Sequence, residues 1–212
     1  EHDSEKQKPS DVYSELQSPL YELTRECRQK EVLRWDEFVQ RVLREKRAAL
    51  IGAPGSGKTF GTRHLAITVA QRALQELNEG KALDEIRIPF WLPAAALGKT
   101  GNLKAAIQQR LPSLPQVWLE RVLERGLFLL VVDALDELAE SQKESFCECL
   151  QSLDTNAGVV LVTCRTMHWE ERSKWLGWKT LPDAAELAPL NPREQQAIAK
   201  RFFEAGAPEA KA

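Results

Sequence analysis

The octapeptide GAPGSGKT, residues 52–59, limits what this chain can fold into more than any other stretch. It satisfies G-x-x-x-x-G-K-[ST], a loop whose backbone curls to aim successive N–H groups at phosphate oxygens. Gly52, Gly55 and Gly57 permit that curl, because glycine enters φ regions closed to other residues. The pattern has meaning only between a buried strand and a helix. Residues 48–53 read as a short apolar strand, and 58–78 as a helix whose N-terminus adds partial positive charge. Gly52, Ala53, Pro54, Gly55, Ser56, Gly57, Lys58 and Thr59, with Phe60 behind them, are thus the expected nucleotide-binding residues. Lys58 is expected to reach the β- and γ-phosphates, and the Thr59 hydroxyl to ligate Mg²⁺.

Downstream, short apolar runs alternate with helical patterns. Strands are expected at 86–92, 127–133, 159–163 and 185–190, and helices near 102–112, 115–125 and 139–153. A last helix should begin after Asn191, with Pro192 at its first position and Glu194 in its first turn. Together with 48–53 this predicts an α/β fold: a five-stranded, mostly parallel sheet flanked by helices. Ligands of such sheets bind beyond the carboxyl ends of the strands. The loops after Ala53, Asp133 and Thr163 are where the chemistry should lie.

Ahead of the sheet, residues 1–10 are polar and read as a linker, and 11–46 read as helical with a break near Ser18-Pro19. Val32, Trp35, Phe38, Val39, Val42 and Leu43 form one apolar stripe, expected to pack on the domain that follows. The expected organisation is a tail and helical segment over 1–46, a phosphate-binding domain over 47–191, and the start of a helical domain over 192–212.

A phosphate loop needs a second group for Mg²⁺, usually an aspartate ending a neighbouring buried strand. In LLVVDALDE, residues 129–137, Asp133 follows four apolar residues and meets that need. A water-orienting acid often comes next, but position 134 is alanine. Asp136 and Glu137 are the remaining candidates, although acids there also suit a helix cap. A small residue at 134 leaves room beside the metal and phosphate. The run VVLVTCR, residues 159–165, ends a strand with Arg165. An arginine there reaches a γ-phosphate, or pairs with Asp133 or Asp136, and the two readings are compatible.

Charge and composition exclude some partners. A net charge of −2 leaves no broad basic surface, which argues against nucleic acid as a ligand. Apolar runs such as 127–132 are too short to span a bilayer, and no leader opens the chain, so a cytoplasmic, membrane-free protein is expected. Cys27, Cys147, Cys149 and Cys164 contain no CxxC pair and read as reduced thiols. Trp169, Trp175 and Trp178 read either as core or as a protein-contact surface. The chain opens on Glu1 rather than Met, and is expected to be a piece of a longer protein.

GAPGSGKT, IPFWLP, LLVVDALDEL, VVLVTCR and ELAPLNPREQQAIAKRFF, taken together, resemble the NACHT-type NTPases of the STAND class, from about Trp35 to Phe203. The most specific element is the D-[small]-x-D-E ending supplied by Asp133, Ala134, Asp136 and Glu137. The resemblance implies an additional-strand ATPase fold, ATP and ADP with Mg²⁺ as ligands, and slow hydrolysis. It implies a switch that is closed with ADP, opens on exchange for ATP and then forms a homo-oligomer. Effector and sensor domains of the same full-length chain would be its partners, in innate immunity or anti-phage defence. By this matching Lys58 and Thr59 bind phosphate and Mg²⁺, and Asp133 holds the metal through water. Asp136 or Glu137 supports hydrolysis, and Arg165 senses the γ-phosphate. The helical and winged-helix domains that close over the nucleotide in complete members are not visible after Phe203. Competing readings are an AAA- or RecA-like ATPase acting on nucleic acid or protein, a small-molecule kinase, and a scaffold that binds nucleotide without hydrolysing it.

Overall fold

Three strands bury both of their faces, and that decides the architecture. The computed structural model describes residues 20–23, 31–153, 158–178, 181–182 and 184–188, together with Pro192, Arg193, Gln196 and Lys200. In β3 (Arg47–Gly52), Ala48 and Leu50 enter one core while Ala49 and Ile51 enter another. β5 (Phe128–Asp133) divides in the same way, Leu129 and Val131 against Phe128, Leu130 and Val132. So does β6 (Val159–Arg165), with Val159 and Leu161 against Val160, Val162 and Cys164. Alternating side chains that are all apolar require helices on both faces of the sheet.

One face is covered by α1 (Trp35–Glu45) and α2 (Lys58–Asn78), through Phe38, Val42, Leu65 and Val69. The other is covered by α3 (Ala94–Thr100), α4 (Leu103–Arg110), α5 (Gln116–Glu124) and α6 (Lys143–Ser152), with α7 (Thr166–Arg172) and the 3₁₀ turn Ser173–Leu176 beside them. Leu97, Ile107, Leu119, Phe146 and Trp175 fill that core. Trp178 is buried there too and Trp169 packs against it, so the tryptophan group is core rather than a contact surface.

The strand order is β2-β1-β7-β3-β6-β5-β4, where β4 is Ile88–Pro93, β7 is Ala184–Leu187, β1 is Leu20–Leu23 and β2 is Glu31–Leu33. The five strands from β7 to β4 are parallel neighbours, as the two-sided apolar runs predict. The strand that separates β3 from β5 is β6, whereas β4, which lies between them in sequence, is at the far edge.

The five parallel strands stand, with β1 and β2 added at one edge, and two expectations for the N-terminal segment need correction. β1 and β2 pair antiparallel beside β7, where 11–46 read as helical, so the sheet has seven strands and Val32 is in a strand rather than on the helical stripe. The pairing partner of β1 is β7, more than a hundred residues away, and local periodicity carries no sign of it. The helix begins only at Trp35, where Asp36 and Glu37 occupy the first turn, and Glu37 accepts the Arg34 N–H at 2.7 Å. Helices α3 and α7 were not anticipated, because each is short and follows directly on a strand. The linker over 1–10, and Glu194 of the last helix, lie outside the described residues, while Pro192 and Arg193 are helical.

Close packing gives a direct test at Gly158. A Cβ built there lies 2.1 Å from the ring of Phe128, which is itself fully buried. The ring is walled in at the start of β5, so Gly158→Ala is expected to destabilise the fold by about 2–3 kcal/mol. Urea denaturation checks this, and a loss below about 0.5 kcal/mol contradicts it. The thiols of Cys149 and Cys164 are equally enclosed. Burial pushes them up to about 11 and about 12, and with Cys147 they are free.

Candidate functional site

The carboxyl ends of β3, β5 and β6 meet on one edge of the sheet. Gly52 is in register with Arg165, and Val132 with Val162, so Asp133 and Thr163 follow side by side. The loop after β3 turns at Gly55 (φ 74°) and Gly57 (φ 94°), both in the left-handed region that favours glycine. Gly52 is tight for another reason: a Cβ there would stand 2.7 Å from Ser56 Oγ. Gly57 caps α2, so the first N–H groups of that helix open onto the loop. Ala53, Pro54 and Gly55 are exposed, and Phe60, in the first turn of α2, is 56% exposed.

Lys58 folds back over this loop. Its ammonium donates to the carbonyls of Gly52 at 2.8 Å and Ala53 at 2.9 Å, and to Ser56 Oγ at 3.4 Å. Partial burial lowers its pKa; the nearby Asp136 opposes that shift and Arg165 adds to it. Lys58 thus belongs to one electrostatic unit with the ends of β5 and β6.

The hydroxyl of Thr59 donates to Asp133 Oδ2 at 2.9 Å. The other carboxylate oxygen, Oδ1, accepts from Thr163 Oγ1 at 2.6 Å, and Thr163 Oγ1 in turn accepts the Ala134 N–H at 2.9 Å. Asp133 is 4% exposed and Thr163 1% exposed, so both polar groups are buried and both are satisfied. A threonine hydroxyl and one carboxylate are hard oxygen donors, which suit Mg²⁺ held jointly with phosphate oxygens. Among the described residues no group of three or more His, Cys, Asp and Glu side chains could form an all-protein metal cage. The loop and its oxygen pair fit a Mg–nucleotide; bound there, the nucleotide would supply the phosphoanhydride and Mg²⁺ the charge neutralisation.

Ala134 adopts φ 59°, ψ 56°, a left-handed residue directly after the strand. This conformation, as well as space, explains the small residue: a branched or long side chain there would raise the steric cost of the turn. The turn hands the chain into the 3₁₀ segment Leu135–Glu137, which faces Asp136 toward β6. Ala134→Gly is expected to leave the site intact and raise stability by up to about 1 kcal/mol, as positive φ costs glycine nothing. Thermal unfolding of the variant measures it, and a lower Tm would contradict it.

Asp136 Oδ1 accepts the main-chain N–H of Arg165 at 3.0 Å, and Oδ2 forms an ion pair with Arg165 Nε at 2.9 Å. The aspartate side chain is 5% exposed and the arginine 41%. Of the two acids expected at the cation, it is Asp136, not Asp133, that pairs with Arg165. Glu137 is exposed beside them. The candidate site residues therefore converge, with Glu137 at the margin. Thr163 was not singled out for a role, although a polar residue closing the apolar run VVLV was the available signal.

A family model described as "NACHT domain" matches residues 46–206. No curated protein gives a significant match. Among solved structures, the chain is similar to the ORC1 protein of Aeropyrum pernix in complex with DNA, with a TM-score of 0.53 and 14% identity. The match covers 82% of this chain and 50% of that one, so the chain spans about half the length of that relative. At this identity the likeness speaks for the fold alone.

Proposed function

Because the chain belongs to the NACHT family, matched over residues 46–206, we propose that it is a nucleotide-operated switch module. It binds ATP and ADP with Mg²⁺, hydrolyses ATP slowly, and thereby controls the oligomerisation and signalling of a larger protein. Effector and sensor domains of that protein act as its partners, in innate immunity or anti-phage defence in the cytoplasm. Residues 47–191 are its nucleotide domain and 192–212 begin the next one. Lys58 and the loop hold the phosphates, Thr59 and Asp133 the metal, and Arg165 reads the γ-phosphate. Asp136 or Glu137 serves the attacking water.

One observation carries this reading. The bonded series Thr59–Asp133–Thr163 ties the first turn of α2 to the carboxyl ends of β5 and β6 next to Lys58, bringing candidate metal-binding oxygens and a phosphate-binding cation together. The test is calorimetric titration with Mg–ATP and Mg–ADP, followed by light scattering in each nucleotide. Micromolar binding of both, with larger particles only in ATP, is the expected result. Binding without any nucleotide-dependent change of size would leave a scaffold rather than a switch.

A second reading, an ATPase acting on nucleic acid, draws on the likeness to a DNA-bound ORC1 structure. The net charge of −2 speaks against it. Stimulation of ATP turnover several-fold by duplex DNA would decide for it. Among the described residues no helix is long and apolar enough to cross a membrane.

A further inference from the structure

We propose that Asp136 is a positioning residue for Arg165: its carboxylate locks the guanidinium beside the phosphate loop and so sets how well the site distinguishes a nucleoside triphosphate from a diphosphate. The proposal rests on the reading of this site as a Mg–nucleotide site.

The geometry is a closed clamp. One carboxylate holds two points of the same residue: Oδ1 accepts the main-chain N–H of Arg165, and Oδ2 makes an ion pair with its Nε at 2.9 Å. Fixing the base and the shoulder of an arginine removes most of its rotamer freedom before a ligand arrives. Nε faces the carboxylate in this clamp, while neither Nη group donates a hydrogen bond to the described residues. Those two Nη groups form the fork that suits two oxygens of one phosphate. The clamp is nearly dry on the aspartate side, at 5% exposure, and open on the arginine side, at 41%. Asp136 and Arg165 also act on Lys58 with opposite sign, which puts both within electrostatic reach of the phosphate-binding ammonium.

The same geometry disfavours Asp136 as the group that orients water. Its oxygens are already engaged and almost shielded from solvent, whereas Glu137 is exposed next to it. Glu137 is therefore the acid left for the attacking water, and Asp136 acts through the arginine.

The two assignments separate in a double-mutant cycle on the full chain. The readout is the ratio of affinities for Mg-bound β,γ-imido-ATP and Mg–ADP, a quantity that a merely structural role would not move selectively. Asp136→Asn sets an amide donor against Nε; Arg165→Lys keeps the cation but lacks both Nε and the fork. Each is expected to lower the triphosphate preference by about 10-fold while leaving ADP affinity within about threefold. The double variant is expected to lose no further triphosphate preference than Arg165→Lys alone, because Asp136 then has no guanidinium fork left to position. Should Asp136→Asn fail to fold in a thermal melt, Asp136→Glu, which keeps the charge on a longer arm, carries the same expectation. Additive losses in the double variant overturn the proposal. So does an unchanged preference in Asp136→Asn with turnover abolished, which would make Asp136 the water-orienting acid. A wild-type chain that binds both nucleotides equally overturns the clamp alone. A chain that binds neither overturns the nucleotide-site reading beneath it.

Discussion

Replacing Lys58 by alanine is expected to weaken both ATP and ADP binding by about 100-fold, the value of charge-assisted hydrogen bonds lost from a partly desolvated site. The present contacts of the ammonium explain why the loss should be large but the fold should survive. Lys58 donates to Gly52 O, Ala53 O and Ser56 Oγ, all within its own loop, and no distant element depends on it. A phosphate can take over those donors without breaking any contact between β3 and its neighbours. Stability of the variant should therefore stay within about 0.5 kcal/mol of the parent. Lys58→Arg separates charge from shape: it keeps the cation, but its planar fork does not match a compact ammonium inside the loop. It should recover only part of the affinity. Equal affinities in the parent and Lys58→Ala, measured by titration calorimetry, would end the phosphate-loop assignment.

The second large effect is expected at Thr163, where substitution should damage fold and site together. Valine has the same shape but no hydroxyl, so Thr163→Val leaves Asp133 Oδ1 without its 2.6 Å donor and the Ala134 N–H without its acceptor. The hydroxyl and the carboxylate are buried, Thr163 at 1% and Asp133 at 4% exposure, and Ala134 is half-buried. Leaving a buried carboxylate oxygen and a half-buried N–H unpaired costs about 3 kcal/mol in total, or roughly 6–12 °C in Tm for a domain of this size. The Mg²⁺ dependence of nucleotide binding should weaken as well, since the carboxylate is no longer held from both sides. Thr163→Ser keeps the hydroxyl and should lose no more than about 1 kcal/mol. A Thr163→Val variant as stable as Thr163→Ser would show that the hydroxyl carries no such weight.

Much of this site was legible in the sequence because its requirements are local. Gly55 and Gly57 are needed where the backbone turns left-handed, and Lys58-Thr59 must open a helix; all of that is written in adjacent residues. Asp133 was equally readable, as the first polar residue after a buried run. The gap at Ala134 was visible too, but its reason was only half recovered. Room beside the metal was the expected cause, whereas the left-handed backbone at φ 59° supplies a second and independent one. At the N-terminal end the reading failed for a physical cause: β1 is a strand because β7 offers it a partner, and without that partner 20–23 carries no strand signal.

The sequence by itself determined the two-sided sheet, the phosphate loop and the acid that ends β5, since side-chain alternation and backbone conformation are properties of a few consecutive residues. The tertiary structure decided which of those groups act on one another. Thr163 meets Asp133 across 30 positions because β5 and β6 are neighbours, and Thr59 meets it across 74 because the first turn of α2 lies over the same edge of the sheet. The place of β6 between β3 and β5 sets Arg165 level with Gly52 and gives it to Asp136 rather than Asp133. Strand order is fixed by how buried faces of many elements pack at once, so no stretch of the chain, read alone, contains it.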